Sequence, residues 1–123
     1  IANVYMDEDY LSIEMQSQWY CGGVFSKNSS GLNFDLHSGK LISVSALFSS
    51  PEAAKDAVVR ESIRYIDTAP NQQAISENAK ETIKNYDISK LEFCFDQEYI
   101  CVFYHTYELG DGYLGPVTVL IKR

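Results

Sequence analysis

The segment that closes the chain constrains its fold more than any other part of the sequence. Residues 110–115 hold three glycines at the spacing of a dinucleotide-binding loop, and such a loop must open a helix that faces a pyrophosphate. Pro116 follows at once, and the alternating β-branched run over residues 117–121 is typical of a strand. The glycines are therefore predicted to serve turns that need positive φ and to allow close packing of Tyr107 and Tyr113. No cofactor is predicted.

A β-hairpin is predicted immediately upstream, over residues 91–104. If its turn centres on residues 97–98, Cys94 and Cys101 face each other. Directly opposed Cα atoms lie about 4.5 to 5.5 Å apart, within the range that a disulfide tolerates. The pair is therefore either a disulfide or two small buried residues on a strand face. The chain has three cysteines, an odd number that excludes a complete disulfide framework, and Cys21 is expected in the core.

Two helices are predicted in the middle of the chain. Ser50 can cap free N–H groups, and Pro51 at the first helical position lacks only a donor that would have no partner there. Apolar residues at spacings of three and four then predict a helix over residues 51–67, which ends before Pro70. The same spacing predicts a second helix after residues 71–73, on the evidence of Ile75, Ala79, Ile83 and Tyr86.

The first third of the chain has the period-two pattern of strands. Apolar and polar residues alternate over residues 11–21, which predicts one long strand with a buried face and a wet face. A loop is predicted over residues 22–31, and a returning strand over residues 32–36. Strands at both ends with helices between them predict an α+β fold: a largely antiparallel sheet with two helices packed on one face.

Length and charge limit the possible functions. The chain has 123 residues, which favours a single domain over residues 1–123, and its net charge is −7. This charge and the absence of a Lys and Arg cluster argue against nucleic acid, and an acidic surface favours cationic partners. No run approaches the roughly twenty apolar residues that span a bilayer, so we expect membrane attachment only through a segment outside this chain. Because it begins at Ile1, the chain is expected to be a processed piece.

Residues with catalytic or metal-binding chemistry do not form a recognisable motif. Cys101 and His105 share a predicted strand face, but at about 3.3 Å per residue they lie roughly 13 Å apart, too far for one metal ion. Cys101 and His37 are formally a nucleophile and a base, yet no acid or amide can be assigned to orient the histidine. Two further sites depend on distances that the sequence does not give: zinc held by His37, Cys94 and Cys101, and a carboxylate pair for sugar hydrolysis. The sequence predicts neither catalytic nor metal-binding residues, and no enzyme.

The glycine-rich loop contains the best candidates for binding. Tyr107 and Tyr113 stand there beside Glu108 and Asp111. Aromatic side chains supply contact area at low entropic cost. These four residues are predicted to contact a partner, and the alternative is that the tyrosines tuck back to close the core.

The same segment resembles the closing motif of the RsiV-like domain. That motif reads Phe93-x-Phe95-Asp96-x-x-Tyr99-Ile100-x-Val102-Phe103-Tyr104, then Tyr107-Glu108-Leu109, Tyr113, Gly115-Pro116 and Val117-x-Val119. Two upstream blocks agree with it: Leu11-Ser-Ile-Glu with Tyr20-x-Gly22-Gly23, and Asn33-Phe34-Asp35-Leu36-x-Ser38-Gly39-Lys40-Leu41 with Ala46-Leu47-Phe48. The resemblance covers residues 10–121 in order. It departs at Val24, Phe25 and Ser26, where many relatives carry a small residue, a His and a Gly.

The family forms the C-terminal part of lysozyme-sensing anti-sigma factors and accompanies peptidoglycan deacetylases on the outside of bacterial cells. The resemblance implies a non-catalytic, extracytoplasmic recognition domain of a bacterial envelope protein, which binds lysozyme or a similar cationic protein. A chain with a charge of −7 would attract such a partner. The alternative is an accessory domain of a cell-wall-modifying enzyme that contacts peptidoglycan glycan through Trp19, Tyr107 and Tyr113.

Overall fold

A computed structural model describes residues 1–21, 24–112 and 114–123, without the side chains of residues 19–21 and 24–26. Its strands are β1 (Asn3–Met6), β2 (Tyr10–Cys21), β3 (Val24–Asp35), β4 (Glu92–Phe95), β5 (Tyr99–Tyr104) and β6 (Val117–Lys122). The helices α1 (Pro51–Thr68) and α2 (Ala79–Asn85) lie between β3 and β4, with 3-10 turns at Val44–Leu47, Gln72–Ala74 and Ile88–Lys90. Neither of the described α-helices has the length and hydrophobicity that a bilayer span requires.

These elements confirm the predicted α+β class. The strands form two antiparallel sheets of three, ordered β1-β2-β3 and β4-β5-β6. Side chains from both helices and from the inner face of the second sheet form one core, which confirms that the helices pack on one face. The described strands thus divide into two sheets, where the sequence pattern had indicated one.

The returning strand β3 is much longer than predicted. It pairs with β2 from Cys21↔Val24 to Tyr10↔Asp35. Residues 24–31 are therefore part of this strand pair, and the prediction that they form a loop is wrong. Ser, Asn and Gly have low strand propensity, but backbone hydrogen bonds to β2 satisfy this segment whatever its side chains are. Residues 22 and 23 of the predicted loop lie outside the described residues, and so does the side chain of Cys21, which was predicted in the core.

Buried polar side chains join the two sheets. Ser12 Oγ accepts a hydrogen bond from Phe95 N at 2.9 Å and donates one to Asn33 Oδ1 at 2.6 Å. Asn33 Nδ2 donates to Phe93 O at 2.8 Å. Strand β4 lies at the edge of its sheet, so these side chains satisfy backbone groups that lack a strand partner. The prediction that Ser12 lies on a wet face is therefore wrong, since its exposure is 2%.

The opposite face of the first sheet is apolar and partly exposed. Val4 and Met6 on β1 are 55% and 66% exposed. They pair with Ile13 and Leu11 on β2, respectively. The face continues across β3 through Leu32 and Phe34. The alternation correctly predicted two faces, but the apolar face is only half-buried and the polar face carries the contact with the second sheet.

Helix α1 begins at the predicted residue and ends one residue later than predicted, whereas α2 is shorter than predicted. Ser50 Oγ accepts a hydrogen bond from Ala53 N at 3.0 Å, which confirms the predicted cap. The predicted second helix included Ile75, but α2 begins only at Ala79 because Ile75 forms a β-bridge with Gly110. The backbone around Ile75 is thereby held in a non-helical conformation.

Candidate recognition surface

The loop between β5 and β6 is fastened to the segment that precedes α2. Ser76 N donates a hydrogen bond to Leu109 O, and Asp111 N donates one to Ala74 O, both at 3.0 Å. Leu109 is fully buried between these contacts. The loop is therefore held in one place at the surface, although its described residues form no helix or strand.

The described glycines of this loop serve a turn and close packing, whereas the predicted packing of Tyr113 lies outside the described residues. A Cβ atom on Gly110 would lie 2.3 Å from Ala74 O, so only glycine allows the two backbones to approach this closely. Gly115 has a φ of 72°, in the left-handed region. Strand β6 follows the loop, so the described residues place no helix N-terminus where a dinucleotide-binding loop requires one.

Tyr107 is exposed and has an unusual backbone conformation. Its exposure is 68% and its φ is 75°, which is uncommon for a residue with a Cβ atom. A Cβ atom on Gly112 would lie 2.7 Å from Tyr107 Oη, so the absence of a side chain at Gly112 makes room for the tyrosine. The alternative in which Tyr107 tucks into the core is therefore wrong. Tyr113, the other tyrosine of the predicted surface, lies outside the described residues.

Glu108 is partly buried beside Tyr86. Tyr86 Oη donates a weak hydrogen bond to Glu108 Oε1 at 3.4 Å. Glu108 Oε2 is buried, and among the described residues it has no hydrogen-bond partner. Burial and the charge and hydrogen bond of Glu108 raise the pKa of Tyr86 above its usual value. Glu108 thus keeps acceptor capacity that no described donor satisfies.

Three of the four predicted binding residues line one surface depression of about 570 Å³. Tyr107, Glu108 and Asp111 form its loop side, and Glu77 lies on the opposite side near the start of α2. None of its described lining residues is a Lys or Arg. The carboxylates of Glu77, Glu108 and Asp111 give the depression a negative local potential. We call this site the acidic depression. Glu77 was not predicted, because the bridge that brings its segment to the loop leaves no sequence signal.

The other candidate residues do not come together as an active site. His37 Nε2 lies 2.8 Å from Asp9 Oδ1 on an exposed turn, while Cys101 lines a cavity whose described lining does not include His37. The formal Cys101–His37 pair is therefore not formed. Among the described residues, no group of three or more His, Cys, Asp or Glu side chains could hold a metal ion.

Searches against models of known protein families and against curated proteins gave no match to this chain. The RsiV-like resemblance accordingly rests on its motif residues, and many of these have a structural role. Most of the apolar ones form the buried inner face of the second sheet: Phe93, Phe95, Ile100, Val102, Tyr104, Val117 and Val119. Packing explains their pattern, whereas exposed Tyr107 needs a different explanation.

Proposed function

We propose that this chain is a non-catalytic recognition domain that acts outside the bacterial cytoplasm, and that its acidic depression binds a cationic protein such as lysozyme. The observation that carries the proposal is an exposed tyrosine, held at a φ of 75° beside three carboxylates. The RsiV-like motif supports the same class of function. Tyr107, Glu108, Asp111 and Tyr113 remain the proposed contact residues, with Glu77 added.

Strain at Tyr107 supports a role in binding. A non-glycine residue in a sparsely populated backbone region costs on the order of 1–3 kcal/mol, and such residues cluster at functional sites. The bridge between Ile75 and Gly110 holds the loop before any partner arrives. Less conformational entropy is then lost on binding, which favours affinity.

The chemistry of the acidic depression suits an Arg or Lys side chain. A guanidinium or ammonium group that enters it would meet the carboxylates of Glu77, Glu108 and Asp111. The same group can lie over the ring of Tyr107 and gain a cation–π interaction. The net charge of −7 would accelerate encounter with a cationic protein.

Titration of the purified chain with lysozyme at low and high salt tests this proposal. We expect saturable binding in the micromolar range or tighter, which weakens as salt screens the charges. Replacing Tyr107 by Gly should weaken binding about tenfold or more, since exposed aromatic anchors carry much of the energy of an interface. Tyr65→Ala is the matched control, because Tyr65 is an exposed tyrosine on α1.

Three outcomes would count against lysozyme binding in the acidic depression: no saturable binding, binding that ignores salt, or equal loss in the Tyr107 and Tyr65 variants. Salt-independent binding of soluble peptidoglycan fragments, lost in Tyr107→Gly, would instead support the accessory domain of a cell-wall-modifying enzyme. The exposed ring of Tyr107 is the feature that this second function would use.

A further inference from the structure

We infer that Cys94 and Cys101 form a dithiol site for low-molecular-weight disulfides, in which Cys101 is the attacking thiol and Cys94 is the resolving thiol. Both cysteines are free thiols, and they face each other across β4 and β5. Their pairing confirms the hairpin register predicted from the sequence. This site is separate from the acidic depression, and the inference does not depend on the proposed function.

The strand register sets the separation of the two cysteines. Phe93 O and Phe95 N bind Asn33 and Ser12, so the backbone groups on both sides of Cys94 point away from β5. Because these directions alternate along a strand, the backbone of Cys94 faces Cys101 in a hydrogen-bonded pair, whose Cα atoms lie about 5.5 Å apart. That separation is close to the commonest value in disulfides. The Cα separation therefore permits a disulfide, and the Cβ atoms of such a pair, about 5.5 Å apart, must move closer by about 1 Å for the bond to form.

A cavity gives small molecules access to the sulfurs. Its volume is about 220 Å³, and its lining includes both cysteines together with Tyr5, Ser12, Glu14 and Asp96. Cys94 is buried at 8% exposure, while Cys101 is more exposed. A disulfide reagent that enters the cavity would therefore reach Cys101 first.

The pKa difference between the two thiols, like the difference in their exposure, favours Cys101 as the attacking group. A hydrogen bond between the thiols lowers the pKa of Cys101 and raises that of Cys94, which burial raises further. The nearby carboxylates of Glu14 and Asp96 oppose ionisation of both thiols. The thiolate is the nucleophile in disulfide exchange, so Cys101 is the better attacking group.

The reaction balances with one disulfide molecule as oxidant. The Cys101 thiolate attacks one sulfur of the reagent, its S–S bond breaks, and one reagent thiolate leaves. The Cys94 thiolate then attacks the sulfur of Cys101 in the mixed disulfide, which releases the second reagent thiolate. The two cysteines are oxidised, the reagent is reduced to two thiols, and the protons lost by Cys94 and Cys101 are taken up by the departing thiolates.

Glutathione disulfide tests the inference on the unaltered chain. Trypsin places both cysteines in one peptide, residues 91–122, and Cys21 in another. After treatment of the folded chain and alkylation, we expect peptide 91–122 to be lighter by two hydrogen atoms and to carry neither glutathione nor alkyl groups. Accumulation of glutathione on either cysteine, or two alkylated cysteines after prolonged treatment, would overturn the inference.

Substitution of the resolving cysteine tests the order of attack. In Cys94→Ser the mixed disulfide has no resolving thiol, so one glutathione should accumulate on Cys101. In Cys101→Ser the buried Cys94 should remain unmodified while the chain is folded. Modification of Cys94 at the rate of Cys101 would contradict the assigned order, and circular dichroism checks the fold of each variant.

Phenylarsine oxide, which bridges neighbouring thiols, should protect both cysteines of the unaltered chain from alkylation, and failure to protect them would count against the site.

Discussion

Ser12 Oγ lies 2.9 Å from Phe95 N and accepts a hydrogen bond from that amide, although the two residues belong to different sheets. The contact occurs on the edge of β4 that is not hydrogen-bonded to another strand. Asn33 makes an equivalent contact by donating to Phe93 O. Gly31 allows this approach, because a Cβ atom there would lie 1.5 Å from Phe93 O. Side chains of one sheet thus complete the backbone hydrogen bonding of the other.

Replacing Ser12 by Ala should destabilise the fold by about 1–3 kcal/mol, because the amide of Phe95 would be buried without a partner. Chemical denaturation of the folded chain measures this change. Ser17→Ala is the control, since Ser17 lies on the same strand and is exposed. Equal stability of the two variants would mean that the contact between the sheets contributes nothing.

The sequence predicted those parts of the fold that local chemistry determines. The cap at Ser50, the extent of α1 and the facing of Cys94 and Cys101 follow from patterns within a few residues of one another. The division into two sheets and the early interruption of the second helix depend on contacts between distant segments. Ser12 with Phe95 and Ile75 with Gly110 are two such contacts, and neither pair has a sequence signature.

The candidate site was predicted in part for the same reason. Tyr107, Glu108 and Asp111 are neighbours in the chain, so their meeting could be expected. Glu77 joins them only because Ile75 pairs with Gly110. The positive φ at Tyr107 was also missed, since glycine is the residue expected in that conformation.

Replacing Gly110 by Ala should destabilise the fold by about 1–3 kcal/mol, a cost typical of forcing extra atoms into a packed region. The new Cβ atom would meet the backbone oxygen of Ala74, which cannot move without breaking the bridge at Ile75. Gly112→Ala is the control, because the atoms nearest to its Cβ atom would be those at the end of the Tyr107 side chain. Denaturant titration compares the two variants. A smaller loss of stability for Gly110→Ala than for Gly112→Ala would contradict this account of the bridge.

Replacing Tyr107 by Gly should raise the stability of the chain while it weakens partner binding. Strain of about 1–3 kcal/mol is relieved, and the greater freedom of glycine in the unfolded chain offsets roughly 0.5–1 kcal/mol of that gain. The denaturation midpoint should therefore rise, and lysozyme titration should show the loss of affinity. A lower midpoint would indicate that the tyrosine ring stabilises the fold rather than serving recognition.

The side chain of His37 should titrate above its ordinary pKa of 6.5, because its hydrogen bond to Asp9 and the charge of that carboxylate favour the protonated ring. A raised pKa in the folded state means that the interaction stabilises the fold fully below the unfolded pKa and loses this effect as pH rises through the folded value. Both side chains are exposed, so the effect on the free energy of unfolding is small. Titration of the His37 ring protons by NMR measures the shift directly.

Asp9→Asn should lower the pKa of His37, whereas Glu8→Gln, which removes the exposed carboxylate next to Asp9 in the sequence, should leave most of the shift in place. Equal effects of the two substitutions would show that general negative charge, and not the contact with Asp9, raises the pKa.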